Sequence, residues 1–153
     1  MFERKIEVLS SRTKKLEGTG KFSSYIGKRV YSKTGELVGS VYDIIIKKDC
    51  MIGVLYKKNS RVFIGKEFFK SDTADAIMLK IDPVTDLIGK QVYDSTGKRI
   101  GKVVELKRKS TANSYEELRV KKAFYLSSVF IPKKLIAVAK KNIILKEPWG
   151  KKK

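Results

Sequence analysis

Histidine is absent from this 153-residue chain, and cysteine occurs once, as Cys50. Without imidazole there is no Ser-His or Cys-His catalytic pair and no histidine ligand for a metal. A single cysteine forms no internal disulfide and no cysteine-rich zinc site. Gly-rich phosphate loops and nucleophile elbows are missing too. The sequence therefore offers no catalytic set, no metal site, no cofactor site and no recognisable small-molecule substrate site. Long hydrophobic runs are also lacking. The longest, Ile44-Ile45-Ile46 and Leu135-Ile136-Ala137-Val138-Ala139, fall far short of the ~18 apolar residues of a membrane span. No integral membrane association is expected. Met1-Phe2-Glu3-Arg4-Lys5 has no apolar core behind it and does not read as a secretory signal. A cytoplasmic protein is the reading. Amides are scarce: Asn59, Asn113, Asn142 and Gln91 stand against abundant Lys and Glu, a balance that fits a heat-loving source.

Positive charge is what the chain has in excess. Lys and Arg total 35 against 16 Asp and Glu, a net charge of +19. An imbalance of that size opposes compaction and is usually retained for a polyanionic partner. Apolar residues at 42% are nevertheless enough to build a core.

The chain repeats itself. Tyr25-Ile26-Gly27-Lys28-Arg29-Val30-Tyr31 returns as Leu87-Ile88-Gly89-Lys90-Gln91-Val92-Tyr93 at an offset of 62. Nine of the twenty positions in 25–44 are identical in 87–106. Val62-Phe63-Ile64-Gly65-Lys66 then matches Val129-Phe130-Ile131-Pro132-Lys133 at an offset of 67, so the second copy holds five more residues between the matches. The local chemistry reads as β. β-Branched residues flank glycine-bearing turns at Gly35 and Gly97, where a short hairpin loop needs positive φ. Gly39 and Gly101 fall inside strands, the mark of a bulge or a tight barrel corner. One short helical turn fits after Phe63 and after Phe130. Asp82-Pro83-Val84-Thr85-Asp86 is a linker too short for the copies to tumble freely. The expected division is a basic arm at 1–24, a first repeat at 25–86, a second at 87–147 and a basic tail at 148–153.

The shared pattern is Ile-Gly-Lys-x-Val-Tyr, a Thr-Gly turn, Gly-x-Val, then Val-Phe-Ile before a closing apolar strand. In these residues the chain resembles the PRC-barrel family. The resemblance implies an all-β fold: two tandem small PRC-type β-barrels with basic N- and C-terminal extensions, each of about six strands. It also implies an adaptor role. One such relative, the C-terminal domain of the bacterial ribosome maturation factor RimM, contacts a small-subunit ribosomal protein. Others are archaeal stand-alone proteins, some linked to cell division.

The two copies differ in charge. Residues 25–86 carry eleven basic and eight acidic side chains, whereas 87–153 carry eighteen and five, a net +13. The basic residues of the second copy come in groups: Lys107, Arg108 and Lys109; Arg119, Lys121 and Lys122; Lys133 and Lys134; Lys140 and Lys141; Lys151, Lys152 and Lys153. The first two groups are expected on the flanks of one long hairpin over 106–126, whose length would account for the five extra residues. Arg12, Lys14 and Lys15 add a basic patch to the N-terminal arm, and Trp149 caps the barrel edge, stacks on a base or fills a protein pocket. Cys50 reads as a small buried residue. Asp43 and Glu105 are one structural position seen twice, with lysine partners expected nearby. Many lysines and few arginines favour backbone attraction over base reading. The expectation is a non-enzymatic rRNA-binding ribosomal or ribosome-associated protein of an archaeon. Its partners would be rRNA and ribosomal proteins, the small subunit being favoured through the RimM resemblance. The alternatives are a PRC-barrel protein–protein adaptor for a cell-division or membrane-associated scaffold, and a ribosome assembly factor.

Overall fold

Alternation of apolar and polar side chains, interrupted at fixed places, decides the architecture. A computed structural model describes residues 21–150. The first six strands are β1 (Arg29–Tyr31), β2 (Leu37–Lys47), β3 (Cys50–Lys57), β4 (Arg61–Gly65), β5 (Phe69–Asp72) and β6 (Ala76–Leu79). They form one sheet in the order β4-β3-β2-β1-β6-β5. The next six are β7 (Gln91–Tyr93), β8 (Arg99–Lys107), β9 (Glu117–Lys121), β10 (Val129–Pro132), β11 (Ile136–Ala139) and β12 (Ile143–Leu145). Their order, β10-β9-β8-β7-β12-β11, is the same. All pairs are antiparallel except β1 with β6 and β7 with β12. Single 3₁₀ turns at Lys66–Phe68 and Lys133–Leu135 stand where the sequence leads one to expect short helical turns. The fold is all-β and duplicated.

Each sheet curls around its own core. Val30, Val38, Val41, Val54, Tyr56, Ile64, Ile77 and Leu79 are buried in the first. The second buries Leu87, Val92, Ile100, Val103, Leu118, Val120, Ile131, Ile143 and Leu145. Each such side chain contributes roughly 1.5–3 kcal/mol through burial. The curl comes from bulges at matching places. Tyr42 is left unpaired between the Val41–Tyr56 and Asp43–Leu55 pairs, as Val104 is between Val103–Val120 and Glu105–Arg119. Gly39 and Gly101 sit where strands crowd. A Cβ at Gly101 would lie 2.4 Å from the Lys121 carbonyl oxygen, and one at Gly39 would lie 2.7 Å from that of Lys57. No side chain fits there.

Two expectations need correction. The extra residues of the second copy are not all in the hairpin. Ser40 pairs with Lys57 and Lys102 with Lys121, so the offset rises from 62 to 64 across the hairpin; it reaches 67 only at Val129, after the next loop. Two residues enter the first loop and three the second. Cys50 is exposed. Lys48 and Asp49, with φ of 48° and 63°, make a two-residue turn, so Cys50 begins β3 at the hairpin tip, beyond the core.

Polar contacts tie the barrels together. Asn113 clamps the linker, accepting from the Val84 N–H at 2.8 Å and donating to the Asp82 carbonyl at 2.8 Å. Asn59 donates to the Ile88 carbonyl at 3.2 Å, and Lys58 lies 3.9 Å from Asp86. The motif lysine explains part of the seam. In the first copy, buried Lys28 pairs with Asp72 at 2.5 Å. Its counterpart Lys90 turns instead to Asp86 at 3.5 Å and, across the seam, to Glu36 at 3.9 Å.

Candidate nucleic-acid interface

Strand register places the basic residues in rows on the outer surface of the second barrel. Gln91, Lys102 and Lys121 form one row across β7, β8 and β9. Glu105, Arg119 and Phe130 form the next, and Lys107, Glu117 and Pro132 the third. The first barrel has the same rows with other residues: Arg29, Ser40, Lys57 and Arg61, then Asp43, Leu55 and Phe63. The changes from Ser40 to Lys102, from Leu55 to Arg119 and from Leu37 to Arg99 add three cations to the second face, while Gln91 stands where the first has Arg29. Sequence alone does not single out Lys102 or Arg99. The signal that finds Lys102 is its cross-strand partnership with Lys121, which needs the register.

Several expected phosphate ligands already have partners. Arg119 meets Glu105 at 2.7 Å, so the cation beside that carboxylate is an arginine and not the expected lysine. Lys107 lies 3.3 Å from Glu117, and Lys109 lies 2.8 Å from Glu116, whose carboxylate raises the Lys109 pKa by hydrogen bonding. The Arg108 head folds back onto the carbonyls of Ala112 and Ser114 and shapes the loop. Lys121 and Lys122 have no ion pair among the described residues, and neither does Lys102. Lys133 and Lys134 stand on the 3₁₀ turn after β10, with the Lys133 ammonium 5.2 Å from the Tyr115 ring centre. Lys140 and Lys141 occupy the β11–β12 turn, where the Lys140 carbonyl accepts from Lys90. Register joins neither pair to the β8–β9 rows. Arg12, Lys14, Lys15, Lys151, Lys152 and Lys153 lie outside the described residues.

Trp149 is half-buried against the second core, and its backbone N–H donates to Asp94 at 3.0 Å. Asp94 also accepts from the Thr96 hydroxyl at 2.6 Å, from the Thr96 N–H at 2.9 Å and from the Lys98 N–H at 3.0 Å. These donors, the Thr96 hydroxyl foremost, hold its pKa at about 2, below the ordinary 3.8. A lowered folded pKa means the contribution is present above the ordinary value and is lost as pH falls toward about 2. Trp149 is the only tryptophan, so its emission reports this anchor. Acidification through that interval is expected to shift the emission to the red, and Asp94→Ala to do so at neutral pH. An unchanged spectrum in the variant would show that Asp94 does not hold the tail.

One further feature escapes a reading of the sequence. Phe124 and Tyr125, between β9 and β10, are 90% and 73% exposed, with ring centres 5.2 Å apart and planes at 90°. Only the length difference of that loop between the copies marks it in the sequence. No group of three or more Asp, Glu or Cys side chains that could hold a metal occurs among the described residues, and no helix among them is long and apolar enough to cross a membrane. A family model described as PRC-barrel domain matches residues 17–85 and again 80–152. No curated protein matches the chain.

Proposed function

The chain belongs to the PRC-barrel domain family, and we propose that it is a non-enzymatic RNA-binding protein whose second barrel lies along phosphates. The observation that carries this reading is the outer face of β7–β9. Arg99, Lys102 and Lys121 stand there, in a half of the chain with net charge +13, whereas the duplicate barrel holds Leu37, Ser40 and Lys57 at these places in a segment with eleven basic and eight acidic residues. Two copies of one scaffold under different charge point to a partner on one side, because solubility alone is served by interspersed charges. Lysines without local carboxylates attract phosphates and release counterions on binding. The RNA proposed is ribosomal, in an archaeal particle, with the small subunit favoured by the RimM resemblance. A permanent component and an assembly factor are both compatible with this surface.

Salt titration tests the proposal. Full-length protein is expected to bind rRNA fragments at low salt, with log affinity falling linearly in log salt at a slope of roughly −0.7 to −0.9 per phosphate contact. Absence of binding at low salt, or affinity independent of salt, overturns it.

A second reading rests on a different observation. Phe63 and Phe130, 47% and 56% exposed, occupy equivalent places on the sheet-edge strands β4 and β10. In the first barrel Phe63 stands beside Leu55 rather than an arginine. That edge suits a protein neighbour by strand addition. Partners captured from nuclease-treated lysate would favour the adaptor role; loss of every partner with the RNA would favour the first reading.

A further inference from the structure

We propose that Phe124 and Tyr125 form a stacking platform for unpaired bases, so that the second barrel engages RNA at a single-stranded loop or bulge and not along a continuous duplex. The inference rests on the RNA-binding reading and adds the class of RNA to it.

In the first barrel the β3–β4 loop, Lys58-Asn59-Ser60, is consumed by the fold. Asn59 donates to the Ile88 carbonyl, and Lys58 donates to the Leu37 carbonyl at 3.0 Å and approaches Asp86. The matching β9–β10 loop of the second barrel is three residues longer. It closes on one internal bond, from the Leu126 N–H to the Ala123 carbonyl at 3.1 Å. It carries the two most exposed aromatic rings among the large apolar side chains of the described residues. Exposing rings that far forfeits burial worth on the order of kilocalories each, so a loop lengthened only for connection has no use for them.

Perpendicular planes matter for what the rings accept. An edge-to-face pair keeps each ring's orientation defined while leaving open faces for flat partners. Lys121 directly precedes the loop, Lys122 opens it, and Lys102 pairs with Lys121 across the strands. Flat rings beside unpaired cations match a base with its phosphate, the combination that single-stranded RNA presents and a duplex conceals.

The test uses full-length protein and three labelled probes in anisotropy titrations: a single-stranded RNA oligonucleotide, the same strand in a duplex, and an abasic strand of equal charge. The double variant Phe124→Ala, Tyr125→Ala is expected to lose roughly tenfold or more in affinity for the single strand. Its affinity for the duplex and the abasic strand should stay within about twofold, with an unchanged salt slope. Both rings lie on the surface, so an unchanged thermal midpoint verifies folding. Equal losses on all three probes, or no loss on any, overturn the stacking role while leaving RNA binding standing. Failure of the unaltered protein to bind any probe removes the RNA reading itself. Ring-dependent sedimentation with anionic phospholipid vesicles, without ring-dependent RNA affinity, would assign the loop to a membrane surface instead.

Discussion

Glutamine at both Lys102 and Lys121 is expected to weaken RNA binding roughly 25- to 60-fold at 0.1 M salt and to flatten the salt slope by about 1.4 to 1.8. The two lysines pair across β8 and β9 and have no ion pair among the described residues. Each therefore keeps its full charge for a phosphate, and a phosphate that is no longer neutralised keeps its counterions. Glutamine retains polarity and most of the length, so the sheet survives the change. Lys47 and Lys48, at the exposed hairpin tip of the first barrel, are the matched control. Their replacement removes the same formal charge and is expected to change affinity less than threefold, a few tenths of a log unit. Equal losses from the two pairs would show that net charge alone, and no particular face, attracts the RNA. Lys107 and Lys109 are poorer targets, because Glu117 and Glu116 already compensate them.

Leu118→Ala is the substitution expected to cost most stability. Leu118 is fully buried on β9, between Leu106 on β8 and Ile131 on β10. Removing its isobutyl group loses transfer free energy and leaves a cavity that a closed sheet fills poorly, about 3 kcal/mol in all, or a midpoint lower by roughly 10–20 °C for a domain of this size. The loss should fall on the second barrel. Its core shares no residue with the first, and the polar contacts across the seam are amide hydrogen bonds and ion pairs at 3.9 Å, which couple weakly. Amide exchange resolved by residue checks this: protection should drop at Val103 and Val120 and persist at Val54 and Ile77. Equal loss of protection in both barrels would mean that the seam makes them one cooperative unit. A midpoint shift under about 2 °C would contradict the burial of Leu118.

Sequence and structure part company mainly where the two copies diverge. The 62-residue offset, the Thr-Gly turns and the glycines within strands are enough to specify a duplicated β unit, the resemblance to PRC barrels implies its closure, and Gly101 stands where the Lys121 carbonyl leaves no room for a Cβ. Cys50 invites a buried reading through its apolar neighbours Met51 and Ile52, yet these lie near a hairpin tip and not in the core. The basic clusters are visible as runs, but runs along a strand point to alternate faces. Arg119 and Lys121 share a face with Lys102, which lies nineteen positions before Lys121 in the chain. No local pattern announces that neighbour. The 106–126 stretch reads as a single long hairpin when the surplus is counted as one insertion, whereas the offsets divide it between two loops.

The amino-acid order alone settled the fold and the amount of charge in each half, since turn glycines, β-branched runs and lysine counts act locally or by simple sum. Tertiary structure decided which charges remain available. Whether a lysine is neutralised depends on the side chain that pairing and bulges set beside it: Glu117 for Lys107, another lysine for Lys121. Electrostatic interaction falls with distance through space, and distance through space follows strand register, which no linear spacing encodes.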